Sequence, residues 1–159
     1  VDQAPERIPV SQQGSRLANA VLAAEGDGAL AELQRLVAQL RSMRRLTVSF
    51  RFEPGSARPD AQSRSNIEHL ARALEAGEYD ARTLVFAGFS DGVGPAEGNR
   101  NIALKRAEAV RDAVVKAAET ADFGQVEIRT EGFGEALPMA CDDSDWGRQI
   151  NRRVEVWVK

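Results

Sequence analysis

Asp91 and Arg106 are the two residues of this sequence whose types and spacing best suit joint chemistry. Asp91 lies in a glycine-rich segment after an apolar strand, and Arg106 falls within the apolar stripe of the next predicted helix. A carboxylate and a planar guanidinium brought to one place complement a ligand that carries both charges. No serine–histidine or cysteine–histidine set accompanies them, so the pattern favours a receptor for a charged ligand over a reaction centre.

Arg106 occupies a helix position where the sequence pattern calls for a hydrophobic residue. Ile102, Val110 and Val114 share a line with it at steps of four residues. A buried unpaired charge is costly, so the guanidinium must find a partner or extend to solvent. Asp91 is the expected partner, and the spacing leaves open whether the two form a permanent salt bridge or share a ligand.

The loop between these residues is rich in glycine. Gly88, Gly92, Gly94 and Gly98 allow close backbone approach, and the helix-start amides near Asn99 can receive an anion. The same glycines are equally suited to building turns. Neither the phosphate-loop pattern nor the dinucleotide pattern is complete, so nucleotide binding is not expected.

Composition narrows the class of protein. The 159 residues carry a net charge of -3, which disfavours a general nucleic-acid binder. No apolar run reaches the length of a membrane span. One cysteine and one histidine leave no cluster for a structural zinc ion, and no cofactor or metal is expected. Because Val1 is not an initiator methionine, we expect the chain to be a piece of a larger protein.

Hydrophobic periodicity predicts an α/β (α+β) framework, with one mixed sheet and helices packed on it in two layers. The strand at 83–89 is apolar on both faces and is therefore expected to be central. After a tail at 1–10, the predicted elements are helices at 11–24 and about 30–40, a strand at 46–52, a helix at 60–76, the strand at 83–89, a helix at 99–118, a strand at 125–130, a loop over 132–149 and a strand at 153–158.

Four separated motifs resemble OmpA-like peptidoglycan-binding domains. The family's Gly-His-Thr-Asp signature corresponds to Gly88-Phe-Ser-Asp91. The glycine, asparagine and Arg-Ala pair that follow it in the family have counterparts at the same offsets in Gly94, Asn99 and Arg106-Ala107. The opening strand and turn resemble Phe50-x-x-x-x-Gly55-Ser56-Ala57, and the closing signature resembles Gly147-Arg148 followed by Asn151-Arg-Arg-Val-Glu155. The departures are Phe89, Ser90 and Ile102-Ala103, where the family usually has His, Thr and Leu-Ser.

The resemblance covers about residues 46–159 and implies the family's βαβαββ fold, with residues 1–45 as an N-terminal tail and two-helix extension. It implies a non-enzymatic domain that binds diaminopimelate in the stem peptide of peptidoglycan. Such a domain would anchor a larger envelope protein to the cell wall, in the periplasm of a Gram-negative bacterium. By the same resemblance, the ligand-binding positions would be Asp91, Arg106, Asn99, Ser90, Gly92, Gly94 and Arg152.

Residues near the C-terminus carry less definite predictions. Arg152 and Arg153 alternate along a strand, so one is expected to face the helix layer or the site and the other solvent, and a purely structural role stays open. Trp146 and Trp157 are expected to pack as core or rim residues, with sugar stacking as the alternative. His69 is expected to be exposed.

Two rival functions follow from the same residues. The substitutions at Phe89 and Ile102-Ala103 suggest an interaction module of the same fold that has lost wall binding. An enzyme using Asp91 with His69 or a hydroxyl is disfavoured, because a carboxylate paired with arginine is a poor base.

Overall fold

The structure is a computed structural model that describes residues 27–53, 56–136 and 144–159. Several sequence predictions lie outside these ranges. They are the tail at 1–10, the helix at 11–24 and Gly55 of the opening motif, and the single cysteine, Cys141, also lies outside. The division into a 1–45 extension and a 46–159 domain stays a prediction.

Four helices and four strands make up the described chain. The helices are α1 (Asp27–Arg41), α2 (Ala61–Glu75), α3 (Ala96–Ala117) and α4 (Asp145–Asn151). The strands are β1 (Arg44–Arg51), β2 (Thr83–Phe89), β3 (Glu127–Gly134) and β4 (Arg153–Val158), and a 3-10 turn at Phe123–Gln125 precedes β3. The predicted α+β class with a βαβαββ order is confirmed.

The sheet has the strand order β1-β4-β2-β3. β2 lies in its interior, as its apolar faces predicted, and pairs in parallel with β3 and antiparallel with β4. In the antiparallel pair, Gly88 near the end of β2 lies opposite Val154 near the start of β4. The residues that follow β2 and those that precede β4 therefore meet at one edge of the sheet.

The two faces of the sheet bury different sets of residues. Helices α2 and α3 cover one face, where they enclose the larger core around Phe50, Phe86, Val110 and Val156. Helix α1 covers the other face. Its residues Leu33, Leu36, Val37 and Leu40 pack in one cluster with Val85, Ala87, Phe89, Phe133, Ala136 and Trp157. The apolar stripe predicted for this helix is thus buried, except for Leu30, whose side chain lies outside the description.

Three elements differ from their predicted bounds near the site, and the first is α3, which begins at Ala96 instead of at residue 99. β3 extends beyond Thr130 to Gly134, because its parallel pairing with β2 continues through Gly132 and Gly134. The predicted loop over 132–149 also contains α4. This helix begins after Ser144, because the Ser144 side chain caps it by accepting a hydrogen bond from the Gly147 N–H.

Two hydrophobic side chains are more exposed than predicted, since Ile102 was expected in the apolar stripe of its helix and Trp146 in the core or at its rim. Ile102 is 46% exposed and Trp146 is 72% exposed. Steps of four residues drift by about 40° around an α-helix, so Ile102 and Val114 do not share a face. Ala103 and Ala107 turn toward the sheet instead and are fully buried. The expected burial of Trp157 and exposure of His69 are confirmed.

A glycine in β2 allows α3 to lie unusually close to the sheet. A Cβ atom placed on Gly88 would lie 1.9 Å from the carbonyl oxygen of Ala103. Gly132, its neighbour on β3, would likewise place a Cβ 2.6 Å from the carbonyl oxygen of Arg100. This close approach determines the height of α3, and therefore of Arg106, above the end of β2.

Replacing Gly88 by alanine should destabilise the fold, because backbone atoms cannot move aside as a flexible side chain can. We expect Gly88→Ala to lower the free energy of unfolding by about 1–3 kcal/mol or more. Urea denaturation followed by circular dichroism measures this change.

Gly98→Ala is the matched control, because a Cβ at Gly98 meets nothing within 4 Å. It should raise the free energy of unfolding by about 0.5–1 kcal/mol, through helix propensity in α3. Equal effects of the two substitutions would contradict the close approach.

Candidate functional site

Asp91 is held at the end of β2 by two hydrogen bonds. Its Oδ1 accepts the Val93 N–H at 3.0 Å, which closes a tight turn in the glycine-rich loop. Its Oδ2 accepts Nη1 of Arg152 at 2.6 Å in an ion pair. The side chains of Asp91 and Arg152 are only 13% and 20% exposed, so this pair is better shielded than an ordinary surface salt bridge.

Arg106 lies beside this pair but does not join it. Its side chain emerges from α3 and the residue is 6% exposed. The guanidinium lies over the ring of Phe52, with Cζ 5.4 Å from the ring centroid, and its Nε donates a hydrogen bond to the Ser56 carbonyl at 3.3 Å. Arg106 makes no ion pair with any residue in the described ranges. The permanent Asp91–Arg106 salt bridge considered from the sequence is therefore not formed.

The electrostatics of Arg106 reflect burial without a counter-ion of its own. Burial lowers the pKa of its guanidinium, the nearby positive charge of Arg152 lowers it further, and Asp91 raises it. Arg106, Arg152 and Asp91 together carry one positive charge in excess. An anionic group brought against Arg106 would balance that charge in a place that is already largely dehydrated.

Asn99 and Gly94 determine the path of the loop. Asn99 is 6% exposed at the start of α3, where its Nδ2 donates to the Gly94 carbonyl at 3.4 Å. Gly94 has φ +93, a conformation that favours glycine. The Asn99 side chain therefore holds the loop against the start of α3.

Ser90 fastens the base of the loop. It is 5% exposed, its backbone N–H donates to the Gly134 carbonyl at 2.6 Å, and its Oγ donates to the Asp91 carbonyl at 2.9 Å. Gly92 is half-buried in the turn after Asp91. The structure thus gathers the seven predicted site residues at one edge of the sheet, while their part in binding a ligand stays a prediction.

Arg152, which precedes β4, and Arg153, its first residue, have different surroundings. Arg152 contacts Asp91, whereas Arg153 is 2% exposed and was wrongly considered a candidate for solvent. The guanidinium of Arg153 lies over Phe89, with Cζ 4.1 Å from the ring centroid, and its Nε donates to Glu155 at 2.6 Å. Trp157 Nε1 donates to the other oxygen of Glu155 at 3.1 Å. These contacts make Arg153 part of a buried structural network.

The surroundings of Phe89 show what changes when phenylalanine replaces the histidine that is usual in the family at this position. Phe89 is fully buried and its ring stacks on Phe133, with centroids 5.3 Å apart. Both belong to the cluster under α1, on the sheet face opposite the α2 and α3 layer. The substitution therefore changes the packing under α1 and not the surroundings of Arg106.

Sequence reasoning missed two neighbours of Arg106. Phe52 continues the inward alternation of the first strand, and that alternation could have placed its ring in the core near α3. The Ser56 carbonyl is a backbone group in a turn, for which the sequence carries no signal. Together they hold the guanidinium in position without neutralising its charge.

The described part of the chain has no group of three or more metal-ligating residues suited to hold an ion. Among the helices described, none has the length and apolar character needed to cross a membrane.

The fold and the site together define a small α+β domain with an arginine–aspartate cluster where β2 ends and β4 begins. The chain belongs to the OmpA family, whose sequence model matches residues 51–152.

Curated relatives place this domain within longer proteins. Outer membrane porin F of Pseudomonas aeruginosa is 32% identical over 145 residues, which cover 89% of this chain and 36% of the porin. The porin F of Pseudomonas fluorescens is 31% identical over 114 residues, covering 72% of this chain and 32% of that protein. The chain thus spans about a third of the length of these relatives.

Solved structures show the same fold. The peptidoglycan-associated lipoprotein from Burkholderia pseudomallei superposes with a TM-score of 0.58 at 25% identity, covering 70% of this chain and 89% of that one. The cell wall anchor of the T6SS from Pseudomonas aeruginosa superposes with a TM-score of 0.52 at 21% identity, covering 80% and 94%.

The two buried arginines should respond in opposite ways to replacement by methionine. Arg106→Met removes a buried charge that lacks a counter-ion, so the free energy of unfolding should stay unchanged or rise by about 0–2 kcal/mol. Arg153→Met leaves Glu155 buried and uncompensated, so it should cost about 3–5 kcal/mol. Urea denaturation suits this comparison because urea adds no ionic strength. A large loss of stability in Arg106→Met would show that Arg106 is structural.

Proposed function

We propose that this chain binds peptidoglycan non-covalently and thereby holds a larger envelope protein at the cell wall, in the periplasm of a Gram-negative bacterium. The observation that carries the proposal is Arg106, a residue that is 6% exposed and makes no ion pair among the described residues. A buried charge destabilises the fold unless an opposite charge pairs with it. A ligand that brings this opposite charge would explain why the chain keeps an arginine here. The names of a peptidoglycan-associated lipoprotein and a cell wall anchor among the structural neighbours support the same conclusion.

Diaminopimelate in the stem peptide is the ligand that best fits the charges. One end of this residue carries an ammonium and a carboxylate on a single carbon. The carboxylate would pair with Arg106, whose guanidinium offers several N–H donors in one plane. The ammonium would turn toward Asp91, since each of its oxygens retains a lone pair beyond the bonds to Val93 and Arg152.

The remaining site residues would act mainly by holding this pair ready. Arg152 keeps the Asp91 carboxylate in place and adds positive charge beside Arg106. Asn99 holds the loop against the start of α3, and the glycine-rich backbone leaves room for the ligand to approach. A site fixed before binding loses less entropy when the ligand arrives.

The proposal includes no cleavage of the ligand. The described partners of the Asp91 carboxylate are a backbone N–H and the Arg152 guanidinium, and neither is a nucleophile or a proton acceptor. His69, the single histidine of the chain, is exposed on α2. Among the described residues, the immediate contacts of the Asp91 carboxylate therefore include no second acid or base that could support hydrolysis.

The rival function, an interaction module without wall binding, was suggested by Phe89 and Ile102-Ala103. Phe89 packs under α1 on the opposite sheet face, Ile102 is exposed, and Ala103 lies against Gly88. These substitutions leave the Arg106 guanidinium and the Asp91–Arg152 pair in place, which favours wall binding over the rival.

Retention on purified peptidoglycan sacculi tests the pair directly. Asp91→Asn and Arg106→Gln should each weaken binding by at least about tenfold, because each removes a charge-assisted contact to the ligand. Arg111→Gln is the matched control. It lies on the same helix, makes the same change of charge, and has its described ion pair with the adjacent Asp112. No retention of the unmodified chain, or equal retention of all four proteins, would contradict wall binding.

A second comparison tests which stem-peptide residue is recognised. Sacculi that carry lysine in place of diaminopimelate lack the carboxylate that would pair with Arg106. We expect the chain to bind them at least about tenfold more weakly than diaminopimelate sacculi. The Arg106→Gln variant should lose most of this preference. Equal binding of the chain to both kinds of sacculi would contradict diaminopimelate recognition while leaving wall binding intact.

A further inference from the structure

The two most exposed large hydrophobic side chains of the described residues both lie within six residues of the Asp91–Arg152 ion pair along the chain. Val93 is 62% exposed and follows Asp91 by two residues, while Trp146 is 72% exposed and precedes Arg152 by six. Trp157 is by contrast 3% exposed in the sheet. An exposed tryptophan leaves a large apolar area in water, which suggests that a partner covers it.

Trp146 has a defined relation to the site along the chain. It lies in α4, which ends at Asn151, next to the arginine that holds Asp91. Six residues at helical rise correspond to an axial offset of about 9 Å between Trp146 and Arg152. In peptidoglycan, two residues separate diaminopimelate from the sugar that bears the stem, a span of about 7–10 Å. The axial offset of Trp146 therefore matches in length the stretch of stem peptide between diaminopimelate and the sugar.

The immediate chain neighbours of Trp146 favour a sugar over an apolar protein partner. Asp145 and Arg148, on the same helix, form an exposed ion pair. Tryptophans at the centre of protein interfaces lie within broader, fully desolvated patches. A single aromatic ring beside charged groups matches the mixed character of a sugar, with its C–H face and its hydroxyl edge.

We propose that Trp146 is a subsite for the glycan strand of peptidoglycan, where its indole stacks against the sugar that bears the bound stem peptide. This inference rests on the proposed function, and it adds to that function a second contact that recognises carbohydrate. The charged pair would select the stem peptide, while Trp146 would favour stems still attached to their sugars over free peptide.

Calorimetric titration of the full chain with two probes tests the subsite. One probe is the free tripeptide L-Ala–D-Glu–diaminopimelate, and the other is the same peptide attached to its disaccharide. We expect the disaccharide form to bind about 2–10-fold more tightly. Trp146→Ala should abolish that gain while leaving tripeptide affinity unchanged, and Trp146→Phe should restore part of it. Val115→Ala, an exposed apolar position on α3, should leave both affinities unchanged.

Fluorescence gives an independent readout because the chain has two tryptophans and one of them is buried. The disaccharide peptide should alter the emission of the unmodified chain far more than that of Trp146→Ala. If Trp146→Ala keeps the same ratio of the two affinities as the unmodified chain, the subsite proposal is wrong. Binding of the tripeptide by the unmodified chain would still support the proposed function in that case. Failure of the chain to bind either probe would overturn both.

Discussion

The contact between the backbone of α3 and the glycine of β2 is the constraint on which the rest of the site depends. With Gly88 against the Ala103 carbonyl, α3 lies closer to the sheet than side chains would normally permit. Arg106 follows Ala103 by one turn, so its guanidinium is lowered to the level of Phe52 and the Ser56 carbonyl. A helix at ordinary distance would leave the same arginine in solvent, where it would be well hydrated and weakly selective.

The chain uses two buried arginines in different ways on the two faces of one sheet. Arg153 is neutralised by Glu155, which also accepts the Trp157 N–H, and it is covered by aromatic packing under α1. Arg106 receives a carbonyl and an aromatic ring but no negative charge of its own. In the first arrangement the two charges neutralise each other, and the pair serves the packing of the core. The second arrangement leaves a positive charge that an anionic ligand could balance. Such an arrangement is expected at a binding site, where some stability is given up for recognition.

The sequence was sufficient for features that depend on local pattern. Helical register placed Arg106 inside, and the apolar run at 83–89 indicated an interior strand; both agree with the structure. Features set by tertiary contacts were harder. Alternation separated Arg152 from Arg153, but only the pairing of Val154 with Gly88 decides which arginine reaches Asp91. Helix α4 is seven residues long, too short for a periodic signal, and the rotation of α3 exposed Ile102.

The strand order has a consequence for when the site is assembled during synthesis. β1 joins the sheet through β4, and the described ion-pair partner of Asp91 is the residue before β4. A ribosome-bound chain can form α2, β2, α3 and β3 early, yet it lacks both the joined sheet and the Asp91–Arg152 pair until the fourth strand emerges. The proposed binding site is therefore assembled only once β4 has been made. A nascent or C-terminally truncated molecule would carry Arg106 without the ordered carboxylate beside it.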